Sequence, residues 1–148
     1  MASERRLVLD ANILMRAVLG RRVRQIIERH VEGAAFFAPD VAFADARRHL
    51  PDVVRKRGGD AATVAAALDL LGAVSLNVDE IEAEAYETHR RAALARIEKR
   101  DPGDWPILAT AMALDCPVWT EDQDFFGAGV PTWTTDRVEI YLADDETH

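Results

Sequence analysis

The sequence is poor in cysteine and has no long hydrophobic run. Cys116 is the only cysteine among 148 residues, which excludes an internal disulfide and any zinc site built from several cysteines. No stretch approaches the roughly 18 apolar residues that a membrane-spanning helix needs, and the N-terminus has no secretory hydrophobic region. We therefore expect a cytoplasmic protein in a reducing compartment, without a membrane segment.

Internal repeats, linkers and low-complexity segments are also absent from the sequence. Hydrophobic residues make up 49% and charged residues 30% of the chain, which is typical of a globular protein rather than a disordered one. The most evident loop, Gly58-Gly59, lacks the lysine and serine or threonine of a phosphate-binding loop. We expect one domain over residues 1–148, with its core at about 6–142.

Short apolar segments alternate with helical patterns along the whole sequence. This alternation predicts an α/β fold with a mostly parallel sheet of four or five strands, covered by helices on both faces. The predicted strands are residues 6–9, 34–38, 74–78, 117–120 and 130–133.

Three helices carry more specific expectations. A helix from about residue 41 meets Pro51, where the missing amide predicts a break or kink. A long polar helix is expected over 80–99. The segment 105–114 is apolar on nearly all sides, which predicts a helix enclosed in the interior.

Four aspartates stand where a predicted strand ends or near the beginning of a predicted helix: Asp10, Asp45, Asp104 and Asp122. Ligands of parallel sheets bind at the carboxyl ends of the strands, so these side chains are expected to form one acidic pocket. Such a pocket repels itself unless cations neutralise it. The pattern therefore favours a divalent-metal site and metal-assisted phosphodiester chemistry.

Each of these aspartates also has a purely structural alternative. Asp10 and Asp104 are suitable N-caps for the helices that follow them, and Asp122 is a suitable turn residue. Asp45 by default is a solvated helix residue. Asp101, three residues before Asp104, is a rival for the same position in the pocket.

Three segments resemble the acidic motifs of PIN-domain nucleases, in the same order. The first is LDANIL at residues 9–14, the second DPGDWPILATA at 101–111, and the third WTEDQDF at 119–125. The resemblance implies a three-layer α/β/α sandwich, cleavage of RNA that depends on Mg²⁺ or Mn²⁺, and a homodimer. Within the family, the small bacterial proteins that this chain resembles are VapC toxins, which implies an antitoxin protein as partner.

The resemblance also implies roles for individual residues. Asp10, Asp104 and Asp122 would be metal ligands, and Asp45 an outer acid at a position where the family usually has glutamate. Asn12 and Thr120 would orient a ligand, a water or a phosphate. The alternative function is a catalytically silent PIN-like module that binds a protein or RNA.

The net charge of −8 bears on this choice, because non-specific binding of nucleic acid relies on neutralising phosphates. Part of the negative charge belongs to the expected pocket, where bound cations would offset it. The basic residues are also clustered, although solvated helix faces explain any single cluster equally well. The clusters are Arg47-Arg48, Arg55-Lys56-Arg57, Arg90-Arg91 and Arg96 to Arg100.

Overall fold

Five parallel strands form the centre of the protein in the computed structural model, which describes residues 4–143. Their order across the sheet is β3-β2-β1-β4-β5. The predicted α/β fold with a parallel sheet is therefore confirmed. The strands are β1 (Arg5–Leu9), β2 (Ala34–Pro39), β3 (Val78–Ile81), β4 (Val118–Trp119) and β5 (Thr132–Trp133).

Helices connect the strands and cover the sheet, giving the three-layer α/β/α arrangement. Short 3₁₀ turns lie at 87–89, 102–104 and 123–125. The helices are α1 (Ala11–Leu19), α2 (Arg22–His30), α3 (Asp40–Lys56), α4 (Ala61–Val74), α5 (Ala83–Tyr86), α6 (Arg90–Ile97), α7 (Trp105–Leu114) and α8 (Val138–Ala143).

The central strand β1 is the most enclosed part of the sheet. Leu7, Val8 and Leu9 are fully buried, because helices cover both faces of a parallel sheet. Val8 pairs with Phe37 of β2 on one side and with Val118 of β4 on the other. This placement fixes the end of β1 in the middle of the sheet.

Two groups of helices pack in separate clusters. Helices α1, α3 and α4 contact one another, and α5 and α6 contact α7. Helix α7 also contacts β1, β2 and β4, and its residues 106–111 are all buried. The expected interior helix is confirmed.

Of the break or kink expected at Pro51, the break is wrong, because α3 continues through it from Asp40 to Lys56. Proline removes one backbone hydrogen bond from the helix. The helix side chains around it are nonetheless well packed, since Leu50 is fully buried and Val54 nearly so. Burial of this apolar face offsets the local loss.

The boundaries between residues 74 and 99 also differ from the prediction. Helix α4 continues to Val74, so β3 begins at Val78. The strand uses Asp79 and Glu80 for pairing with β2, and charged residues are acceptable there because β3 is an edge strand. The single long helix expected over 80–99 is consequently replaced by α5, a 3₁₀ turn and α6.

Within residues 4–143, no helix is long and apolar enough to cross a membrane. Residues 1–3 and 144–148 of the expected domain lie outside the described part of the chain.

The sheet order places a reversal between β1 and β4. From β1 the chain builds β2 and β3 on one side, and it later builds β4 and β5 on the other. A crevice forms at the carboxyl ends of the strands at such a switch point. Asp10 follows β1, and residues 120–122 follow β4, so both segments reach this crevice.

Candidate metal centre

Asp10 lies at the end of β1 with 8% of its surface exposed. Its Oδ1 accepts a hydrogen bond of 2.9 Å from the backbone N–H of Ile13, which caps α1. Its Oδ2 accepts a hydrogen bond of 2.5 Å from the hydroxyl of Thr120. The cap alternative therefore holds for Asp10, and it occupies only one of the two carboxylate oxygens.

Thr120 joins the ends of β1 and β4. Its side chain is fully buried, and its Oγ1 both donates to Asp10 and accepts from the N–H of Asp122 at 2.9 Å. Asp122 Oδ1 in turn accepts from the N–H of Asp124 at 2.9 Å and caps the 3₁₀ turn that follows. One threonine hydroxyl thus holds the Asp10 carboxylate against the segment that carries Asp122.

Asp104 stands directly before α7 and does not cap it, since its side chain makes no cap hydrogen bond. Its Oδ2 is buried and has no hydrogen-bond partner. A buried carboxylate oxygen without a partner is costly. The cap alternative therefore fails for Asp104, and its position calls for a cation or a proton.

Burial raises the pKa of Asp104 to about 7, helped by the negative charges of Asp101 and Asp122. Burial likewise raises the pKa of Asp10 to about 6, against the opposing hydrogen bonds from Thr120 and Ile13. With pKa values this close to neutral pH, each carboxyl can release its proton and bind a metal cation in its place.

A third group of contacts widens the cluster beyond the predicted ligands. Carboxylate oxygens of Asp101, Asp104 and Asp124 lie within 4.8 Å of one another. Asp101 Oδ1 also accepts from the N–H of Gly103 at 3.0 Å. Asp101 and Asp104 therefore belong to the same cluster rather than being alternatives.

The cluster suits a hard divalent cation. In the described part of the chain, none of its acids pairs with a lysine or arginine side chain. All its donors are oxygens, as Mg²⁺ and Mn²⁺ prefer. The unpartnered Oδ2 of Asp104 is an available ligand atom. The cluster comprises Asp10, Asp101, Asp104, Asp122 and Asp124.

Two of the sequence-predicted site residues, Asp45 and Asn12, make no hydrogen bond or ion pair with this cluster among the described residues. The Asp45 side chain is 47% exposed and forms a 3.0 Å ion pair with Arg48. It is not among the groups that most affect the pKa of Asp10 or Asp104. Asn12 is exposed on the first turn of α1 and lines an adjoining groove.

The sequence analysis did not identify Glu121 as part of the site, nor the hydrogen bonds that hold the segment after β4 in place. The negative charge of Glu121 contributes to the raised pKa of Asp10, and its Oε2 accepts from the N–H of Thr135 at 2.7 Å. Arg100 donates to the carbonyl oxygens of Asp124, at 2.8 Å, and of Phe126. The position of Glu121 between Thr120 and Asp122 was a usable signal, whereas the contacts of Arg100 follow only from the tertiary structure.

The sequence profile of the PIN domain family matches residues 8–143. This span covers most of the chain and includes every acid of the cluster, so the chain belongs to the PIN domain family. PIN domains are generally nucleases that use divalent metals, which agrees with the site. A search of curated proteins found no match.

Solved structures with the same fold include complexes of toxin–antitoxin pairs. VapBC2 of Rickettsia felis, bound to a promoter DNA fragment, matches with a TM-score of 0.69 and 12% identity over 87% of this chain and 98% of that one. PAE2754 of Pyrobaculum aerophilum matches with a TM-score of 0.71 and 16% identity over 94% and 96%. VapBC-1 of Haemophilus influenzae matches with a TM-score of 0.62 and 14% identity over 88% and 98%. At these identities the likeness establishes the fold.

Replacing Thr120 by valine tests the link between the two strand ends. The variant removes the donor of the buried hydrogen bond to Asp10 and the acceptor of the partly buried hydrogen bond from the Asp122 N–H. We expect Thr120→Val to lower the free energy of unfolding by about 1–3 kcal/mol, measured by urea denaturation in chelator. Thr120→Ser keeps the hydroxyl and should retain most of the stability; equal losses in both variants would show that packing of the methyl group is what matters.

The raised pKa values predict how stability depends on pH in the metal-free protein. A carboxyl whose pKa is raised on folding stabilises the fold fully below its unfolded pKa and loses that contribution as pH rises through the folded pKa. For Asp10 the window runs from 3.8 to about 6, and the loss is on the order of 3 kcal/mol. For Asp104 it runs from 3.8 to about 7.

Thermal unfolding in chelator should show the upper part of this loss as pH rises from 5 to 7 and no further loss from these two carboxyls by pH 8, with a smaller loss in Asp104→Asn. Added Mn²⁺ should raise the Tm more at pH 8 than at pH 5, because protons compete with the metal. A Tm that rises with pH in both proteins would contradict the assignment of these carboxyls.

Proposed function

We propose that this protein is an endoribonuclease that hydrolyses RNA phosphodiester bonds with a divalent metal, Mg²⁺ or Mn²⁺, held by its carboxylates. The observation that carries the proposal is the buried, unpartnered Oδ2 of Asp104 within an acidic cluster. Neither capping nor an ion pair explains this atom. Membership of a family of nucleases supports the same reaction class.

The metal ligands in this proposal are Asp10, Asp104 and Asp122, with Asp101 and Asp124 beside them. A divalent cation bound there would lower the pKa of a water ligand and stabilise charge on the scissile phosphate. Thr120 orients Asp10 through its 2.5 Å hydrogen bond and leaves Oδ1 on the α1 cap. The ligands are thereby fixed before substrate arrives, which favours catalysis.

Asp45 and Asn12 have outer roles in this proposal. Asp45 would act beyond the direct ligands, since its carboxylate is committed to Arg48. Asn12 faces the adjoining groove, where its amide would orient a water or a phosphate oxygen. We expect a smaller effect from either side chain than from the buried acids.

For the biological role, we propose a toxin that acts with an antitoxin partner. The proteins of Rickettsia felis and Haemophilus influenzae with this fold are both VapBC pairs. The resemblance to that group further implies a homodimer. A gene for a small protein beside this one would support the assignment.

A catalytically silent binding module is the second candidate. The observation in its favour is Asp45, which replaces the glutamate usual at this position and pairs with Arg48 instead of joining the cluster. In that case the acids would bind metal without promoting cleavage. The nuclease should therefore cleave RNA in the presence of metal, and the silent module should not.

Cleavage of a mixed RNA pool distinguishes them. The purified chain should cleave in Mn²⁺ and not in chelator, and Asp104→Asn should lower the rate by more than about 100-fold, since changes in outer-shell residues alone cost 10- to 100-fold. Asp45→Asn should lower it less. Asp69→Asn, an exposed aspartate on α4, is the matched control and should keep the wild-type rate.

Two results would reject the nuclease. Absence of cleavage with any divalent metal would favour the silent module. Full activity of Asp104→Asn would assign the cleavage to a contaminant or to another site. Far-ultraviolet circular dichroism of each variant confirms that folding is preserved.

A further inference from the structure

A groove rich in arginine opens beside the acidic cluster. Its volume is about 930 Å³, and its lining brings together residues of α1, the start of α2, the end of α3 and the segments after β4 and β5. We call it the arginine groove. Its four arginines are Arg16, Arg21, Arg22 and Arg57.

These arginines keep their donors available. Each is exposed, and within residues 4–143 none of the four side chains makes a hydrogen bond or an ion pair. By contrast, the guanidinium of Arg24 is occupied by the carbonyl oxygens of Ala17 and Gly20.

The two carboxylates in the groove are already engaged. Glu121 accepts from the N–H of Thr135, and Asp136 accepts from the hydroxyl of Thr134 at 2.5 Å. The charge of Arg22 also contributes to lowering the pKa of Asp136. With four arginines against these two carboxylates, the groove has a net positive lining, although the whole chain carries −8.

The groove adjoins the candidate metal centre. Glu121 lies between Thr120 and Asp122 in the chain, and its charge acts on Asp10. Asn12, two residues after Asp10, lines the same groove. A strand whose scissile phosphate sits at the carboxylates would thus enter the groove with its neighbouring phosphates.

We propose that the arginine groove binds the phosphodiester backbone of the single strand that is to be cleaved. This inference rests on the proposed nuclease function. Guanidinium groups bind phosphate through two parallel hydrogen bonds. Among residues 4–143, no aromatic side chain lines the groove. The lining therefore offers charge rather than base stacking, and binding should be insensitive to base sequence.

Binding of a fluorescein-labelled, single-stranded 20-nucleotide RNA tests the groove without requiring cleavage. Fluorescence anisotropy is measured in the Asp104→Asn background with Mg²⁺, at several salt concentrations. Arg21→Gln and Arg57→Gln should each weaken binding about 3- to 10-fold. Each should also reduce the slope of log K against log salt concentration by about 0.7, the change expected for one lost phosphate contact on a single strand.

Arg91→Gln, an exposed arginine on α6 outside the groove, is the matched control and should bind within two-fold of the parent. Two RNAs of equal length and different base sequence should respond alike. Equal weakening by Arg91→Gln would overturn the proposal, as would unchanged affinity in the groove variants. The proposal would also be overturned if the groove variants no longer bound a co-expressed protein partner but kept their affinity for RNA. That result would assign the groove to protein docking.

Steady-state cleavage by the same variants with Asp104 intact separates this inference from the proposed function. Groove variants should raise KM and leave kcat within about two-fold, as expected for binding that is uniform between ground and transition state. If the groove variants cleave RNA with an unchanged KM, the role of the groove in RNA binding is rejected and the nuclease function is retained. If the protein does not cleave RNA but its RNA affinity depends on the groove arginines, the nuclease function is rejected and the role of the groove in RNA binding is retained.

Discussion

The mutual repulsion of carboxylates at the carboxyl ends of β1 and β4 is the constraint on which the rest of the site depends. The sheet order puts these two ends side by side, and Thr120 holds Asp10 against the segment carrying Asp122. Helix α7 then brings Asp104 to the same place with an oxygen that no protein group satisfies. The fold therefore concentrates negative charge where a cation or protons must balance it.

The division of charge over the surface follows from this arrangement. A chain with a net charge of −8 would repel nucleic acid if its charges were spread evenly. Instead, acids without basic partners gather at the strand ends, and the arginine groove lies beside them with its donors unpaired. A bound cation would reduce the negative charge of the acidic cluster and leave the positive charge of the arginine groove unchanged. This face of the protein would then attract phosphate at both places.

Much of the fold could be predicted from the sequence, because residues 7–9 of β1 and 106–111 of α7 are buried and apolar runs indicate such burial directly. The boundaries near β3 could not, since an edge strand with Asp79 and Glu80 has the polarity of a helix surface. Pro51 wrongly predicted a helix break for a related reason, because tertiary packing of Leu50 and Val54 outweighs the low helix propensity of proline.

For the site, the order and spacing of Asp10, Asp104 and Asp122 sufficed to predict an acidic pocket. Sequence could not show that Asp10 caps a helix while Asp104 does not, since both precede a helix in the same way. Nor could it show that Arg57 joins Arg16 in one groove across the fold. Such distinctions depend on tertiary geometry that local patterns do not encode.

Calorimetric titration of Mn²⁺ into the wild-type chain and Asp104→Asn at pH 6.5 tests most directly whether the carboxylates form a metal site. A metal site formed by these carboxylates predicts binding by the wild type with release of protons, visible as a heat that depends on the buffer, because burial raises the pKa values of Asp10 and Asp104 to about 6 and about 7. Asp104→Asn should bind at least about 10-fold more weakly. Equal affinity in the two proteins, or no proton release, would contradict it.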